Sequence, residues 1–288
     1  MSVNGTSPLP ALGSGYEPIA LLSRGNDFDV YDAWSLERGS RVIVKTVRDD
    51  RLGDQRLRAR LLREGRLLLR LTHPHIVRGY EVRADGPRPL VVMETLGGQT
   101  LAHMVDFDGT LEDRDAAQLG LQIGSAVRYL HLHDHLHLDL KPSNVIAEGG
   151  RAKLIDLGLA ERPGPVPAGV GTWSYLAPEQ ARGEWAGPPA DVWGLGALLY
   201  EMLAGWPPFD DPEREIDGKF DEDIEFPQLE RRPRPLAEVS SAEAPIRELV
   251  EACLEPAPDR RPPLLAILGT LERMAAHAGE LRWGQGSL

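Results

Sequence analysis

Cysteine and lysine are the scarce residues of this 288-residue chain. Its single cysteine, Cys253, leaves nothing to pair with inside the chain. An internal disulfide is therefore excluded, and a reducing, cytoplasmic setting is expected. No run of about 18 apolar residues occurs, so no membrane insertion is expected. The opening Met1-Ser-Val-Asn-Gly-Thr-Ser-Pro has neither a basic start nor an apolar stretch, and it is not read as a secretory signal. Positive charge is also short: the formal net charge is −12. That argues against nucleic acid or an anionic membrane surface as the main partner.

Of the 32 basic residues only four are lysines, Lys45, Lys141, Lys153 and Lys219. In a chain that otherwise uses arginine, a retained lysine points to a need for a compact point charge. The apolar share, 42%, is that of an ordinary globular protein. Residues 1–13 are small and polar and read as a flexible leader. Short β-rich runs follow at Glu17–Leu22, Phe28–Trp34 and Arg41–Val47, then an amphipathic helix over Arg51–Leu71. Ile76–Val82 and Leu90–Glu94 read as two further strands. Beyond a hinge the pattern turns helical, at Leu101–Val105, Arg114–Leu132, Pro189–Leu203, Pro245–Cys253 and Leu264–Ala276, with two short strands around Val145 and Leu154. Arg162–Gly171 reads as a Pro/Gly-rich loop. The expected class is α+β, a β-rich lobe with one main helix followed by a mostly helical lobe.

The densest chemistry lies in His137-Leu-Asp-Leu-Lys-Pro-Ser-Asn144, followed by Asp156-Leu157-Gly158. Asp139 and Asp156 are carboxylates, Lys141 an ammonium and Asn144 a neutral amide. Transfer of a phosphoryl group from ATP to a hydroxyl needs such parts: a proton acceptor, a phosphate clamp and hard oxygen ligands for Mg²⁺. Further markers stand in order: Val42-Ile-Val-Lys45, Glu64, Gly171-Thr172, Ala177-Pro-Glu179, Asp191-Val-Trp193 and Arg261-Pro262. Together they resemble a Hanks-type, bacterial eukaryotic-like serine/threonine protein kinase over roughly residues 14–278.

The resemblance implies a bilobal fold with an N-lobe at 14–94, a hinge at 95–99, a C-lobe at 100–278 and a tail at 279–288. It implies Mg-ATP as cofactor and protein serine or threonine hydroxyls as substrate, the oligomeric state being left open. Asp139 and Lys141 are the implied catalytic residues, and Asn144 and Asp156 the implied metal ligands. Lys45 is expected to reach the phosphates and to pair with Glu64. Leu22, Gly25, Val30, Ile43 and Ile146 are expected around the nucleotide, with Met93 as gatekeeper and Glu94 and Leu96 supplying hinge contacts. Leu68, His137, Leu157 and either Gly79 or Tyr80 are expected to form a packed column. Glu179 with Arg261, and Asp191 at a helix start, are the expected structural anchors; that apparatus argues for a protein substrate over a small molecule.

The chain departs from the family pattern in four places, one of them Leu157 where phenylalanine is usual. The glycine loop, Ser23-Arg-Gly25-Asn-Asp-Phe28-Asp-Val30, keeps one glycine, and Asp27 and Asp29 add negative charge expected to weaken ATP binding. Ile43 stands where alanine is usual. Leu138 replaces the arginine that usually pairs with an activation-loop phosphate, and residues 159–171 contain no Ser, Thr or Tyr. The pair of losses predicts activity that does not depend on phosphorylation of that loop. A pseudokinase acting as a nucleotide-binding or docking module is the alternative, and a small-molecule phosphotransferase a third reading. The alternating His131, His133, His135 and His137 suggest a metal site only on a strand; a helix end and a turn at Asp134 are expected to break the alignment, leaving His137 packed and the others on the surface. Asp210–Glu225 is read as a solvated charged loop rather than a recruiting surface.

Overall fold

The computed structural model describes residues 9–210 and 225–277. The first eight residues of the expected leader, nearly all of the acidic segment and the whole expected tail lie outside the described residues. The chain divides into two compact units, one of residues 1–97 with Asp156–Gly158, the other of 98–155 with 159–288.

The first unit is a five-stranded antiparallel sheet and one long helix. The strands are β1 (Tyr16–Arg24), β2 (Phe28–Ser35), β3 (Ser40–Val47), β4 (Gly79–Arg83) and β5 (Leu90–Met93), in the order β1-β2-β3-β5-β4. Side chains alternate across β3, so Val42 and Val44 point one way and Ile43 and Lys45 the other. Val42 and Val44 join Leu12, Tyr16, Tyr31, Ala33, Leu90 and Val92 in a core cluster, with Tyr80 packed against it. Leu12 is 1% exposed, so the packed chain starts before the expected boundary at residue 14.

Helix α1 (Gln55–Arg70) lies against the sheet and buries Leu61, Leu62, Leu67 and Leu68. It starts four residues later than the periodicity suggests. Asp54 caps it, accepting the Arg56 and Leu57 amides, while Asp49–Arg51 form a separate 3-10 turn. Of the two candidates for the packed column, Gly79 is the one against α1: a β-carbon there would lie 3.0 Å from Leu68 Cβ.

The second unit opens with β6 (Gln99–Thr100), which takes Gln99, expected in the hinge, into a sheet with β7 (Val145–Glu148) and β8 (Arg151–Leu154). Helices α2 (Leu101–Asp108) and α3 (Asp113–Leu132) follow β6. Short elements that the sequence missed include β9 (Gly164–Pro165), inside the expected loop, and α4 (Pro178–Arg182). β9 pairs with β10 (Trp185–Ala186), a partner 20 residues away that no local pattern announces. Helix α5 (Pro188–Ala204) is buried at every position from Ala190 onward, as its all-round apolar sequence requires. It begins on two prolines and stops at Gly205, whose φ is 91°. Two short helices, α6 (Pro227–Glu230) and α7 (Leu236–Val239), precede α8 (Ala244–Cys253) and α9 (Leu264–His277), and α9 packs on α3. No helix among the described residues is long and apolar enough to cross a membrane.

Candidate functional site

In the first unit the site is built on β3 and α1. Lys45 Nζ donates to both Glu64 oxygens at 2.9 Å and to Asp156 Oδ2 at 3.0 Å. Strand alternation puts Lys45 on the face opposite the core cluster, and Glu64, half-way along α1, meets it there. Burial on its own would lower the Lys45 pKa; the Glu64 and Asp156 carboxylates outweigh it and hold the ammonium above its ordinary value. Burial also pushes the Glu64 carboxyl up, to about 7, against the attraction of Lys45. The other Asp156 oxygen accepts the Gly158 amide at 2.7 Å, a tight turn that fixes the carboxylate.

Val30 pairs directly with Lys45, and Ile43 with Met93, so these expected nucleotide neighbours share one region of the sheet. Leu22 is 55% exposed and sits at an irregularity of β1. The Glu94 amide donates to the Arg78 carbonyl at 3.0 Å, and its side chain accepts the Arg78 amide at 2.8 Å. Leu96 lies in the following loop, partly buried.

The loop between β1 and β2 differs from the expectation in its electrostatics. Asp27 is held by Arg51 at 2.6 Å and Arg60 at 3.3 Å. Asp29 is buried and accepts the Tyr31 hydroxyl at 3.1 Å and Arg24 Nε at 3.3 Å. Both charges that seemed hostile to phosphate are thus already partnered. Gly25 closes the turn by donating to the Phe28 carbonyl at 2.9 Å.

In the second unit a compact polar set gathers around Asp139. Thr172 Oγ1 donates to Asp139 Oδ1 at 2.7 Å. Lys141 Nζ lies 3.1 Å from Oδ2 and donates to Thr172 Oγ1 at 2.5 Å. Asn144 Nδ2 donates to the Asp139 carbonyl at 2.9 Å and to Oδ2 at 3.1 Å. Both carboxylate oxygens are therefore aimed, and the Asn144 nitrogen is committed, which leaves its amide oxygen as that side chain's acceptor. Ile146, next along in β7, pairs with Thr100 and Lys153 and is partly buried.

The loop that carries this set is anchored through its backbone. Asp191 Oδ2 accepts the His137 amide and Oδ1 the Leu138 amide, both at 2.8 Å, while His131 Nε2 lies 2.8 Å from Oδ2. Burial alone would raise the Asp191 pKa, but these donors hold it below the ordinary value. His137 Nδ1 accepts the Asp139 amide at 3.3 Å, and its Nε2 is buried with no hydrogen-bond partner among the described residues.

Leu138 is 4% exposed and has φ of 64°, a strained conformation for leucine. It is held there from both sides, its amide by Asp191 and its carbonyl by Gln180 Nε2 at 2.9 Å. Gln180 also donates to the Val170 carbonyl at 2.8 Å, tying the Pro/Gly-rich segment to the loop of His137–Asn144. Sequence reasoning missed Gln180, although its place one residue after Ala177-Pro-Glu179 could have marked it. It read Thr172 as a marker after Gly171 but not as a partner of Asp139 and Lys141. Glu179 and Arg261 form the expected buried pair, at 2.7 and 2.8 Å.

The four alternating histidines separate as the Asp134 turn requires, since Asp134 has φ of 57°. The expectation that only His137 is packed fails: His135 is 8% exposed, and His131 anchors Asp191. Among the described residues no group of three or more His, Cys, Asp or Glu could hold a metal ion.

The family model described as protein kinase domain matches residues 16–270. The chain belongs to the protein kinase family. Within this kinase family it is 36% identical over 219 residues to the probable serine/threonine-protein kinase PknB of Bifidobacterium longum, covering 70% of this chain and 32% of that protein. It is 35% identical over 210 residues to the serine/threonine-protein kinase PknB of Mycolicibacterium smegmatis, covering 69% and 34%. A plant relative, CBL-interacting protein kinase 4 of Oryza sativa subsp. japonica, is 34% identical over 279 residues, 93% of this chain and 58% of its own. The chain thus spans about a third of the length of the bacterial relatives named.

Proposed function

We propose that this kinase-family chain transfers the γ-phosphoryl group of Mg-ATP to serine or threonine hydroxyls of protein substrates, and does so without a phosphorylated activation segment. The observation that carries the reading is the aimed Asp139 carboxylate, held by Thr172, Lys141 and Asn144. The assembled Lys45–Glu64 pair of the first unit is further support.

Mg-ATP fits the residues present. Asn144 in the second unit and Asp156 in the first each offer a hard oxygen donor of the kind Mg²⁺ prefers, and these are the residues that would hold it. When bound, the metal would neutralise charge developing on the transferred group. Lys45, kept protonated by two carboxylates, would hold the phosphates of the nucleotide. Asp139 would accept a hydrogen bond from the substrate hydroxyl and orient it for in-line attack. Lys141, shared between Asp139 and Thr172, would stabilise charge on the phosphoryl group near the attacking oxygen. The Thr172 hydroxyl fixes the angle at which Asp139 presents its free lone pairs.

Independence from phosphorylation rests on how the segment after Gly158 is held in the second unit. β9 pairs with β10, the Val166 amide donates to Glu184 at 3.1 Å, and the Gly169 amide to Gln180 at 2.9 Å. A buried leucine stands where an arginine would wait for phosphate. Backbone pairing supplies the order that phosphate supplies elsewhere.

Wild type and Asp139→Ala, incubated with labelled ATP and a generic basic protein, test the transfer. Loss of label on the protein in the variant supports it, equal signals point to a docking module, and label on a small metabolite alone points to a different phosphotransferase.

A further inference from the structure

Helix α1 carries two functional side chains one turn apart, since residues four apart share a helix face. Glu64 takes Lys45. Arg60, one turn earlier, reaches two other segments of the same unit. Its Nε donates to the Gly158 carbonyl at 3.1 Å, and its Nη1 lies 3.3 Å from Asp27 Oδ2. Its guanidinium also lies over the Phe28 ring, 5.3 Å from the centroid, while Lys45 Nζ sits over the same ring at 5.2 Å. Two more arginines hold the loop from outside: Arg48 donates to the Gly25 carbonyl at 3.1 Å, and Arg51 to the Asn26 carbonyl at 3.2 Å and Asp27 at 2.6 Å.

The loop between β1 and β2 has lost two of the three glycines of the family pattern, and with them the bare backbone that can close over phosphates unaided. Ser23 and Phe28 stand in their places, with the Asp27 carboxylate beside Phe28 and arginines around the loop. We propose that Arg60 is a positioning residue that latches the Gly25–Phe28 loop and the Asp156-Leu157-Gly158 turn to the helix bearing Glu64. The latch sets loop, turn and Lys45 in register before nucleotide arrives. This rests on the phosphoryl-transfer reading for its purpose, though not for its geometry. A planar fork suits the place: Nε reaches Gly158 and Nη1 reaches Asp27 from two nitrogens held apart in one plane, whereas a lysine here would have to serve both from a single Nζ.

The test compares wild type, Arg60→Ala, Arg60→Lys and Asp27→Asn by amide hydrogen exchange and by steady-state kinetics. Three amides report the latch: Gly25, bonded to Phe28; Arg48, bonded to Asp27; and Gly158, bonded to Asp156. In Arg60→Ala exchange at all three is expected to rise about tenfold with the interior of α1 unchanged, the effect of losing roughly one exposed charge-assisted bond. The KM for ATP is expected to rise about tenfold as well, with the KM for the protein substrate unmoved. Asp27→Asn should free Gly25 and Arg48 but leave Gly158 protected. Arg60→Lys, which preserves helix and charge, should still release Gly158. If Arg60→Ala loosens α1 throughout, Arg60→Lys and Asp27→Asn decide the matter alone. Unchanged Gly158 exchange in both Arg60 variants, or an unchanged KM for ATP in an active enzyme, overturns the latch. Should wild type transfer no phosphate, the phosphoryl-transfer reading fails while the exchange data still judge the geometry.

Discussion

Replacing Arg261 by alanine removes more than one ion pair. Its guanidinium makes two hydrogen bonds to Glu179 and donates to the carbonyls of Glu255 at 2.8 Å, Pro189 at 2.8 Å and Pro256 at 3.1 Å. It also lies 5.1 Å from the centre of the Trp193 ring. The two side chains are 0% and 4% exposed, so solvent can replace neither partner. Truncation therefore leaves a carboxylate buried without its cation, a loss of about 3–5 kcal/mol. At roughly 2–4 °C per kcal/mol for a chain somewhat smaller than this, Tm should fall by about 10 °C. Urea unfolding should show the same loss in its midpoint without a change in slope. Activity should fall too at temperatures where the variant remains folded. Glu179 lies in α4, and its neighbour Gln180 holds the Leu138 and Val170 carbonyls. Arg261→Lys should retain part of the charge but not the paired geometry, and fall between the two. A change under about 1 kcal/mol in Arg261→Ala would refute the reasoning, because it is the range of exposed pairs.

Thr172→Ala should lower kcat by roughly ten- to a hundredfold with Tm unchanged, since Asp139 loses the donor that aims it, and Thr172→Ser should restore most of the rate in a single-turnover assay. Asp191 has a depressed folded-state pKa, so its contribution to stability is present above the ordinary carboxylate pKa and is lost as pH falls through the depressed value. Unfolding curves measured against pH should therefore show a wild-type loss in acid that Asp191→Asn flattens. Gly79→Ala should cost about 1–3 kcal/mol in denaturant unfolding, because the added carbon would press on the Leu68 backbone and side chain at 3.0 to 3.2 Å.

The elements that sequence revealed are those with a local cause. β3 and α1 announce themselves by alternation and by helical spacing, and Lys45 and Glu64 follow from their places on them. The loop from His137 to Asn144 was legible because, with the other markers in order around it, it resembles the protein kinase pattern. What remained hidden depends on distant partners. β9 exists only because Trp185–Ala186 lies alongside it, and His131 is drawn in by an aspartate 60 residues away. Asp27 and Asp29 looked unfavourable because the sequence does not say that Arg51, Arg60 and Arg24 will fold back onto them. Leu12 looked like part of a loose leader because one leucine among small residues carries no period. Leu138 was legible as a missing charge, but its left-handed backbone and its two anchors, Asp191 and Gln180, came only with the fold.

In the proposed function Asp139 directs transfer without phosphate on the activation segment. Protein treated with a phosphatase, then verified by intact mass as free of phosphate, should be assayed at once with labelled ATP and a protein substrate, alongside Asp139→Ala treated in the same way. Full initial velocity for the dephosphorylated wild type, and loss of about a thousandfold or more in the variant, is the predicted result. A wild type that is silent until it has been phosphorylated, or an Asp139→Ala variant as fast as wild type, would contradict the account.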